Sequence, residues 1–221
     1  MERVVCLIVG YVFGLFQTAV LYGKMKGVDI RNVGSKNAGT TNTLRVMGAK
    51  AGLVVLLGDM FKCIFAIILT YFLFGRSNPD RRYFYMIYTA AGAVLGHDFP
   101  FFLKFKGGKG IACTAGYIIS MGWKFVLVGL IAFFGPFNVT HFVSLSSLCL
   151  YTCFLIQYVI FGQLGFLGNL PQSELNEMYV IVALLTALAF YQHRGNIKKL
   201  ISGTERKTYI SKKNKVDWSG G

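Results

Sequence analysis

Acidic residues are scarce in this chain, with nine Asp and Glu against 23 Lys and Arg, for a formal net charge of +14. An excess of this size predicts an anionic partner. Nucleic acid is one candidate class. Anionic lipid headgroups are the other, at about 1 kcal/mol for each cation near a membrane surface. The long uncharged blocks described below favour the lipid bilayer, so we predict no nucleic-acid partner.

The sequence also lacks cysteines and histidines at the spacing of a metal site. None of the five cysteines belongs to a CxxC pair that a second pair or a set of histidines would complete. All of them lie inside or beside apolar segments, where a thiol acts as a small hydrophobic group. They are Cys6, Cys63, Cys113, Cys149 and Cys153. We therefore predict no metal site and no cofactor.

Charge is absent from long stretches of the sequence. The uncharged blocks are residues 4–22, 63–75, 83–96, 110–123, 125–161 and 178–192. Blocks of this length match helices that cross a hydrocarbon core of roughly 30 Å. Strict alternation of apolar and polar residues is absent, which argues against a barrel. A cleaved signal peptide is the alternative for the first block, but its run is too long and no small-x-small cleavage site follows it.

These blocks predict an all-α integral membrane protein of about seven transmembrane helices. We place them at residues 4–22, 52–74, 83–96, 109–121, 123–139, 143–161 and 176–192. The breaks near 121–122 and 138–142 depend on Gly, Pro and polar residues alone, so five spans is the alternative. Gly10 and Gly14 in the first helix have the spacing at which helices pack closely.

Lys and Arg indicate the orientation. They concentrate in residues 23–50, in residues 97–109 and from residue 193 onward, and seven spans place all three segments on one side. The positive-inside rule assigns that side to the cytoplasm, with the N-terminus outside and the C-terminus inside. We predict one membrane domain, residues 1–205, followed by a solvated basic cytoplasmic tail, residues 206–221.

Motif 1 (residues 34–45), in the first cytoplasmic segment, reads GSKNAGTTNTLR. Its glycines let backbone N–H groups turn toward an anion, and its hydroxyl and amide side chains add donors. The arginine at its end offers a forked, charge-assisted contact to phosphate. We predict phosphate binding here, with a flexible turn and a capped short helix as the alternative. The candidate residues are Ser35, Asn37, Thr41, Asn42 and Arg45.

Motif 2 (residues 96–110) reads GHDFPFFLKFKGGKG and runs directly into an apolar helix. Exposed N–H groups and the positive end of that helix form a phosphate cradle. The motif is not a Walker A loop, because a glycine stands where Ser or Thr should follow the lysine. The phenylalanine-rich part alternatively lies in the membrane interface with its lysines snorkelling. The candidate residues are His97, Gly107, Gly108, Lys109 and Gly110.

Motif 3 (residues 193–205) reads HRGNIKKLISGTE and leaves the last apolar block. His193 and Asn196 are three residues apart, so they share one face of a helix. A basic juxtamembrane helix without a ligand is the alternative. Ser144 and Ser147 open the sixth predicted helix, where they either cap it or donate to a ligand.

One pair of opposite charges interrupts the second predicted helix. Asp59 and Lys62 are three residues apart and lie on the same helical face. An unpaired charge at the bilayer centre costs about 2.5–3.5 kcal/mol. We therefore predict a mutual ion pair near the cytoplasmic interface.

Together the three motifs resemble one family, the bacterial membrane acyltransferases that transfer an acyl group from acyl-phosphate to glycerol 3-phosphate. The family patterns GSxNxGxTN, GHxFPxFLxFxGGKG and HRxNIxxLxxGTE match motifs 1, 2 and 3 in order, over nearly the whole chain. The sequence departs from what the family leads us to expect at Lys36, Thr40, Cys63, His141 and Gln192. None of these removes a candidate phosphate ligand, and a paralogue with altered specificity stays an alternative.

The resemblance implies seven helices in the bacterial inner membrane, with the motifs facing the cytoplasm. The implied products are lysophosphatidic acid and phosphate, in the first step of phospholipid synthesis. Acyl-phosphate is already activated, so catalysis is positioning and charge stabilisation more than covalent chemistry. The implied partners are the bilayer, the two substrates and the enzyme that produces acyl-phosphate.

The resemblance also implies roles for the candidate residues. Phosphate is bound by Ser35, Arg45 and Lys109, with N–H groups of Gly107, Gly108 and Gly110. The substrate hydroxyl and acyl carbonyl are oriented by His193 and Asn196, which form the catalytic set with Ser35. Ser144 and Ser147 line the site, and His97 donates a hydrogen bond or orders the second loop. The general base is His193 or, alternatively, an oxygen of the substrate phosphate.

Two other function classes fit less well. Acyltransferases that use acyl thioesters carry His-x4-Asp, and none of the three histidines has an aspartate at that spacing. A small transporter of a phosphorylated anion would also carry basic loops. Transporters, however, place ionisable residues near the midplane and often repeat their helices. Here the polar residues cluster at one surface and the sequence has no internal repeat.

Overall fold

The computed structural model describes residues 1–210, and these form ten α-helices joined by short turns. The helices are α1 (Glu2–Gly14), α2 (Thr18–Met25), α3 (Thr40–Met47), α4 (Ala49–Thr70), α5 (Arg82–Asp98), α6 (Ile111–Met121), α7 (Trp123–Thr140), α8 (Val143–Gln163), α9 (Gln172–Gln192) and α10 (Arg194–Ile201). A π-helical turn, Tyr71–Gly75, extends α4, and 3-10 turns lie at Pro79–Arg81 and Phe101–Leu103.

The seven predicted helices all correspond to helices of the structure. The two breaks are confirmed, because Gly122 (φ 102°) separates α6 from α7 and His141 (φ 59°) ends α7. Within the described residues, five stretches are long and apolar enough to cross a membrane: α1 with α2, α4 with its π-helical turn, α7, α8 and α9. Helices α5 and α6 are shorter, with 17 and 11 residues. The count of seven spans stays a prediction.

The first predicted helix, residues 4–22, is wrong as a continuous element, since α1 and α2 are separated. At the interruption Gln17 turns inward, and its Nε2 donates to the backbone oxygen of His97 at 3.1 Å. The interruption also frees the Phe16 carbonyl oxygen, which accepts a hydrogen bond from Lys62 Nζ of α4. Both partners are distant in sequence, so the local apolar pattern carries no sign of the break.

Helices α1 and α5 pack with their backbones in contact. A Cβ on Gly10 would lie 2.0 Å from the Thr89 carbonyl oxygen, and one on Gly92 would lie 2.1 Å from that of Leu7. The close approach predicted from the four-residue glycine spacing is therefore confirmed. Helix α5 is buried along most of its length, and it carries the start of motif 2 into the interior.

The remaining packing gathers the motifs at one site. Helix α3, the second half of motif 1, packs on α4, and α4 in turn packs on α5 and α6. Helix α10, the start of motif 3, contacts α8 and α9. The polar segments therefore meet beside the first turn of α8.

Candidate functional site

A cavity of about 410 Å³ lies where the three motifs converge. Twelve of the fourteen candidate residues line it: Ser35, Asn37, Thr41, Asn42, Arg45, His97, Lys109, Gly110, Ser144, Ser147, His193 and Asn196. An apolar part of the wall comes from α4, α6, α7 and α8, through Leu56, Ile111, Ala112, Phe133 and Val143. The cavity thus combines cationic and hydroxyl groups with a hydrophobic surface, as an amphipathic phosphate ligand would require.

The motif 1 loop is held in place by Asn42. Its buried side-chain oxygen accepts a hydrogen bond from the Ser35 N–H at 2.8 Å. Its Nδ2 donates to the carbonyl oxygens of Ile30 and Val33, both at 3.0 Å. All of these contacts are internal, so Asn42 orders the loop that presents Ser35. The contacts give the turn hydrogen-bond partners, and the short helix expected after it is α3.

Arg45 is held by the segment that follows motif 3. Its Nε and Nη2 donate to Thr208 Oγ1 at 3.1 and 2.6 Å, and Nη2 also donates to the Arg206 carbonyl oxygen at 2.8 Å. Thr208 is only 3% exposed, and its N–H donates to the His141 carbonyl oxygen. The prediction of a solvated tail from residue 206 is therefore wrong at Thr208, whereas Arg206 is exposed. Residues 211–221 lie outside the described part of the chain.

Lys109 is connected to motif 3 through Asn196. The Lys109 ammonium donates to Asn196 Oδ1, and Asn196 Nδ2 donates to the Glu205 carboxylate oxygens at 3.0 and 3.2 Å. Both ends of the Asn196 amide are thus engaged, and the amide fixes the lysine at the cavity wall. Burial lowers the pKa of Lys109 to about 8, against the opposing effect of Glu205.

His193 immediately precedes α10 and is buried. Its Nδ1 lies 2.8 Å from the Ala189 carbonyl oxygen, which can only accept, so Nδ1 carries the proton. In the neutral ring Nε2 then has a free lone pair. Burial, and secondly the charge of Lys109, lower the pKa of His193 to about 4. The ring is neutral at pH 7, which is the form a general base requires.

The two remaining candidate residues, Gly107 and Gly108, do not line the cavity. Their N–H groups donate to the carbonyl oxygens of Asp98 and His97, at 3.0 and 3.1 Å. The prediction that these two N–H groups bind phosphate is therefore contradicted. A Cβ on Gly108 would lie 2.0 Å from His97 Nε2, so the glycine makes room for that ring. Gly110 remains in the cavity wall, with a φ of 70°.

Asp59 and Lys62 form the predicted ion pair, with Lys62 Nζ 2.9 Å from Asp59 Oδ1. The pair is buried by protein, with exposures of 1% and 6%. Its position near the cytoplasmic interface stays a prediction. Lys62 Nζ also lies 2.8 Å from His97 Nδ1. Asp59 and His97 both line the cavity, so the pair is adjacent to the site.

Several hydroxyl groups face the site. Ser147 Oγ donates to the Val143 carbonyl oxygen, whereas Ser144 Oγ and Thr40 Oγ1 are buried with no partner among the described residues. Neither serine caps α8 through its side chain. A buried hydroxyl without a partner is costly, so a hydrogen bond from a bound molecule would stabilise either group.

Sequence reasoning missed four residues that belong to the site or to its support. Thr40 was treated only as a departure from the family pattern, and Asp59 only as an interface charge. Lys199 lines the cavity from α10, and its spacing of three residues from Asn196 was the available signal. Thr208 carried no local signal, because its partner Arg45 is 163 residues away.

Comparison with known proteins gives consistent results. The family model described as glycerol-3-phosphate acyltransferase matches residues 4–203. The chain is 38% identical to the glycerol-3-phosphate acyltransferase of Bacillus velezensis, over 91% of this chain and 95% of the relative. It is 36% identical to glycerol-3-phosphate acyltransferase 2 of Thermotoga maritima, over 93% and 96% of the two chains.

Solved structures agree with the sequence relatives. The crystal structure of PlsY (YgiH), an integral membrane glycerol 3-phosphate acyltransferase, in its glycerol 3-phosphate form superposes with a TM-score of 0.78 at 29% identity. That match covers 95% of this chain and 96% of the other. The lysophosphatidic acid form gives a TM-score of 0.76 at 28% identity, covering 95% and 97%.

Proposed function

Because this chain belongs to the glycerol-3-phosphate acyltransferase family and is an acyltransferase, we propose that its acyl donor is acyl-phosphate. The 1-hydroxyl oxygen of glycerol 3-phosphate attacks the acyl carbon, and the bond from that carbon to the phosphate oxygen breaks. The hydroxyl proton passes to a base. The products are lysophosphatidic acid and inorganic phosphate. A mixed anhydride needs no covalent enzyme intermediate, so the protein supplies binding, orientation and charge stabilisation.

One observation carries the proposal: cationic groups from all three motifs line the same cavity as an apolar wall. Arg45 comes from motif 1, Lys109 from motif 2 and Lys199 from motif 3. Both substrates bear phosphate, so the reaction requires two sets of cationic and N–H or O–H donors. The apolar wall, formed in part by Phe133, is the surface on which the acyl chain would begin.

In this proposal His193 is the general base. Its Nδ1 proton is committed to the Ala189 carbonyl oxygen, which leaves Nε2 to take the hydroxyl proton. Asn196 holds Lys109, so that the lysine charge faces the phosphate that leaves. Ser35 and Ser144 donate to substrate oxygens, and Ser144 has a buried hydroxyl with no partner among the described residues.

We also propose a membrane arrangement. The chain spans the bacterial inner membrane seven times, with its N-terminus outside and its cavity open to the cytoplasm. The support is the concentration of Lys and Arg in the three motif-bearing segments. Both substrates are then taken from the cytoplasmic side, and the enzyme that produces acyl-phosphate is the expected partner.

The test uses the full-length protein in detergent, with palmitoyl phosphate and glycerol 3-phosphate, and follows phosphate release and lysophosphatidic acid. Palmitoyl-CoA is the comparison donor and Arg45→Ala the binding-defective variant. We expect turnover with the acyl-phosphate only, and its loss in Arg45→Ala. Turnover with the thioester instead would refute the donor assignment. A folded protein with no turnover would refute the activity, and phosphate-ester flux into liposomes would then be measured.

A further inference from the structure

A buried network of polar groups lies behind the cavity, on α4, α5 and the turn between α1 and α2. Lys62 Nζ contacts three atoms: the Phe16 carbonyl oxygen at 2.5 Å, Asp59 Oδ1 at 2.9 Å and His97 Nδ1 at 2.8 Å. Asp59 Oδ1 also accepts from Thr18 Oγ1 at 2.9 Å. Asp59, Lys62 and His97 are all less than 7% exposed.

The three N–H donors of the Lys62 ammonium determine which nitrogen of the His97 ring carries the proton. An ammonium has three N–H donors and no acceptor. Two of them go to the Phe16 carbonyl oxygen and the Asp59 carboxylate, which are acceptors. The third meets His97 Nδ1, which must therefore be the unprotonated nitrogen. A neutral Lys62 would reverse the assignment, because its lone pair would accept from an Nδ1 proton. Asp59 Oδ1, 2.9 Å from Nζ, is the counter-charge of the ammonium.

We propose that Lys62 is a positioning residue that fixes His97 in its Nε2–H form, so that the ring presents a hydrogen-bond donor to the substrate cavity. His97 lines the cavity. The opposite holds for His193, where Nδ1 carries the proton. The site thus contains one histidine that accepts a proton and one that donates a hydrogen bond. The donor's ligand is an oxygen of a phosphate ester or acyl-phosphate, which makes this part dependent on the proposed function.

The backbone around His97 is also restrained. Gln17 Nε2 donates to the His97 carbonyl oxygen at 3.1 Å, and that oxygen also accepts from the Gly108 N–H at 3.1 Å. The ring is thus held through Nδ1 and its backbone through two donors. A side chain held in this way loses little entropy when a substrate oxygen binds Nε2.

The first experiment reads the ring nitrogens directly. The chain has three histidines, so a ¹⁵N-histidine-labelled sample in detergent gives three ring patterns, assigned with His141→Asn and His193→Gln. Long-range ¹H–¹⁵N correlations distinguish Nδ1–H from Nε2–H rings. We expect His97 as Nε2–H and neutral at pH 7. A ring protonated at Nδ1, alone or together with Nε2, would overturn the proposal.

The second experiment uses a charge-balanced double variant, Asp59→Asn with Lys62→Met, which leaves no buried charge unpaired. We expect His97 to lose its single Nε2–H pattern and kcat to fall roughly 10²-fold, the usual effect of losing one preorganised donor. Thr18→Val is the matched control, because it removes only the Thr18 contact to Asp59. It should keep the wild-type ring pattern and turnover within threefold.

The outcomes separate this inference from the proposed function. An unchanged His97 pattern in a double variant that retains its helical circular dichroism would refute the role of Lys62. A changed pattern with kcat within threefold of wild type would refute the donor role of His97. The ring pattern of the unmodified protein needs no turnover, so failure of the acyl-phosphate reaction alone would leave the Nε2–H assignment standing.

Discussion

Thr208→Val removes one hydroxyl and keeps the shape of the side chain. In the structure that hydroxyl accepts from Arg45 Nε at 3.1 Å and from Nη2 at 2.6 Å, so it orients the guanidinium. The Arg206 carbonyl oxygen still accepts from Nη2 at 2.8 Å in the variant. The guanidinium therefore keeps one anchor of two, and its planar fork becomes free to rotate about that anchor.

The magnitude follows from the type of bond. A hydrogen bond to a charged group contributes about 1.5–3 kcal/mol net. Because the Arg206 contact remains, we take the lower end, about 1.5–2 kcal/mol. This corresponds to a fall of roughly 10- to 30-fold in kcat/KM for the substrate whose phosphate Arg45 binds. We expect most of this loss to come from a higher KM, since Arg45 is assigned to binding.

The assay measures kcat and KM for glycerol 3-phosphate and for palmitoyl phosphate separately, in Thr208→Val, Thr208→Ser and Arg45→Ala. The serine variant keeps the accepting oxygen and should stay within threefold of wild type. The valine and alanine variants should raise the KM of the same substrate. Thr208→Val at wild-type KM for both substrates, beside a defective Arg45→Ala, would refute the reasoning, since Arg45 would then need no support from this segment.

Three further predictions concern the cavity. His193→Gln should lower kcat roughly 10²- to 10⁴-fold, because it removes the general base, with little change in either KM. In a pH profile, kcat/KM should fall above about pH 8. Lys109 is cationic only below its lowered pKa, so it loses its charge as the pH rises through that pKa. Lys109→Arg should remove this alkaline limb because arginine stays charged. Gly108→Ala should reduce turnover, because the added Cβ would clash with His97 Nε2 and displace the ring. Overpacking of this kind costs about 1–3 kcal/mol.

Each of these has a result that contradicts it. Equal losses in kcat and in substrate binding for His193→Gln would indicate a binding role. An alkaline limb that persists in Lys109→Arg would assign it to another group, and Lys199→Arg serves as the control. For Gly108→Ala the matched variant is Gly135→Ala on α7, where a Cβ would meet no atom within 4 Å. Similar turnover in both alanine variants would show that the His97 ring has room to move.

Most of the helices, in their order, and most of the residues that line the cavity could be predicted from the sequence. The break between α1 and α2 and the positions of Gly107 and Gly108 could not. Uncharged apolar blocks dictate helices wherever the surroundings cannot hydrogen-bond to the backbone. The helix breaks near 121–122 and 138–142 followed from Gly, Pro and polar residues, and the structure has positive φ at Gly122 and His141. The motif residues converge because each motif adjoins the end of an apolar block. Motif composition also identified Arg45, Lys109 and His193 as members, since few residue types can bind phosphate or accept a proton near neutral pH.

What each of those residues does was decided by the tertiary structure. Gly107 and Gly108 have the composition of a phosphate cradle, yet their N–H groups donate hydrogen bonds to backbone oxygens of α5. Asp59 and Lys62 have the spacing of a mutual ion pair, yet Lys62 Nζ also contacts His97 Nδ1 of another helix. The basic segment after Glu205 has the composition of a solvated tail, yet Thr208 is buried against Arg45.

The physical reason is the same in each case. Helical periodicity and residue chemistry are local, so the sequence shows which groups are available. Whether a donor or a charge is free depends on partners that lie 35 residues away for Lys62 and His97, and 163 residues away for Arg45 and Thr208. Only the packing of the helices brings those partners within hydrogen-bonding distance. That packing sets the proton position on His97, whereas the proton position on His193 is set locally by the Ala189 carbonyl oxygen four residues away.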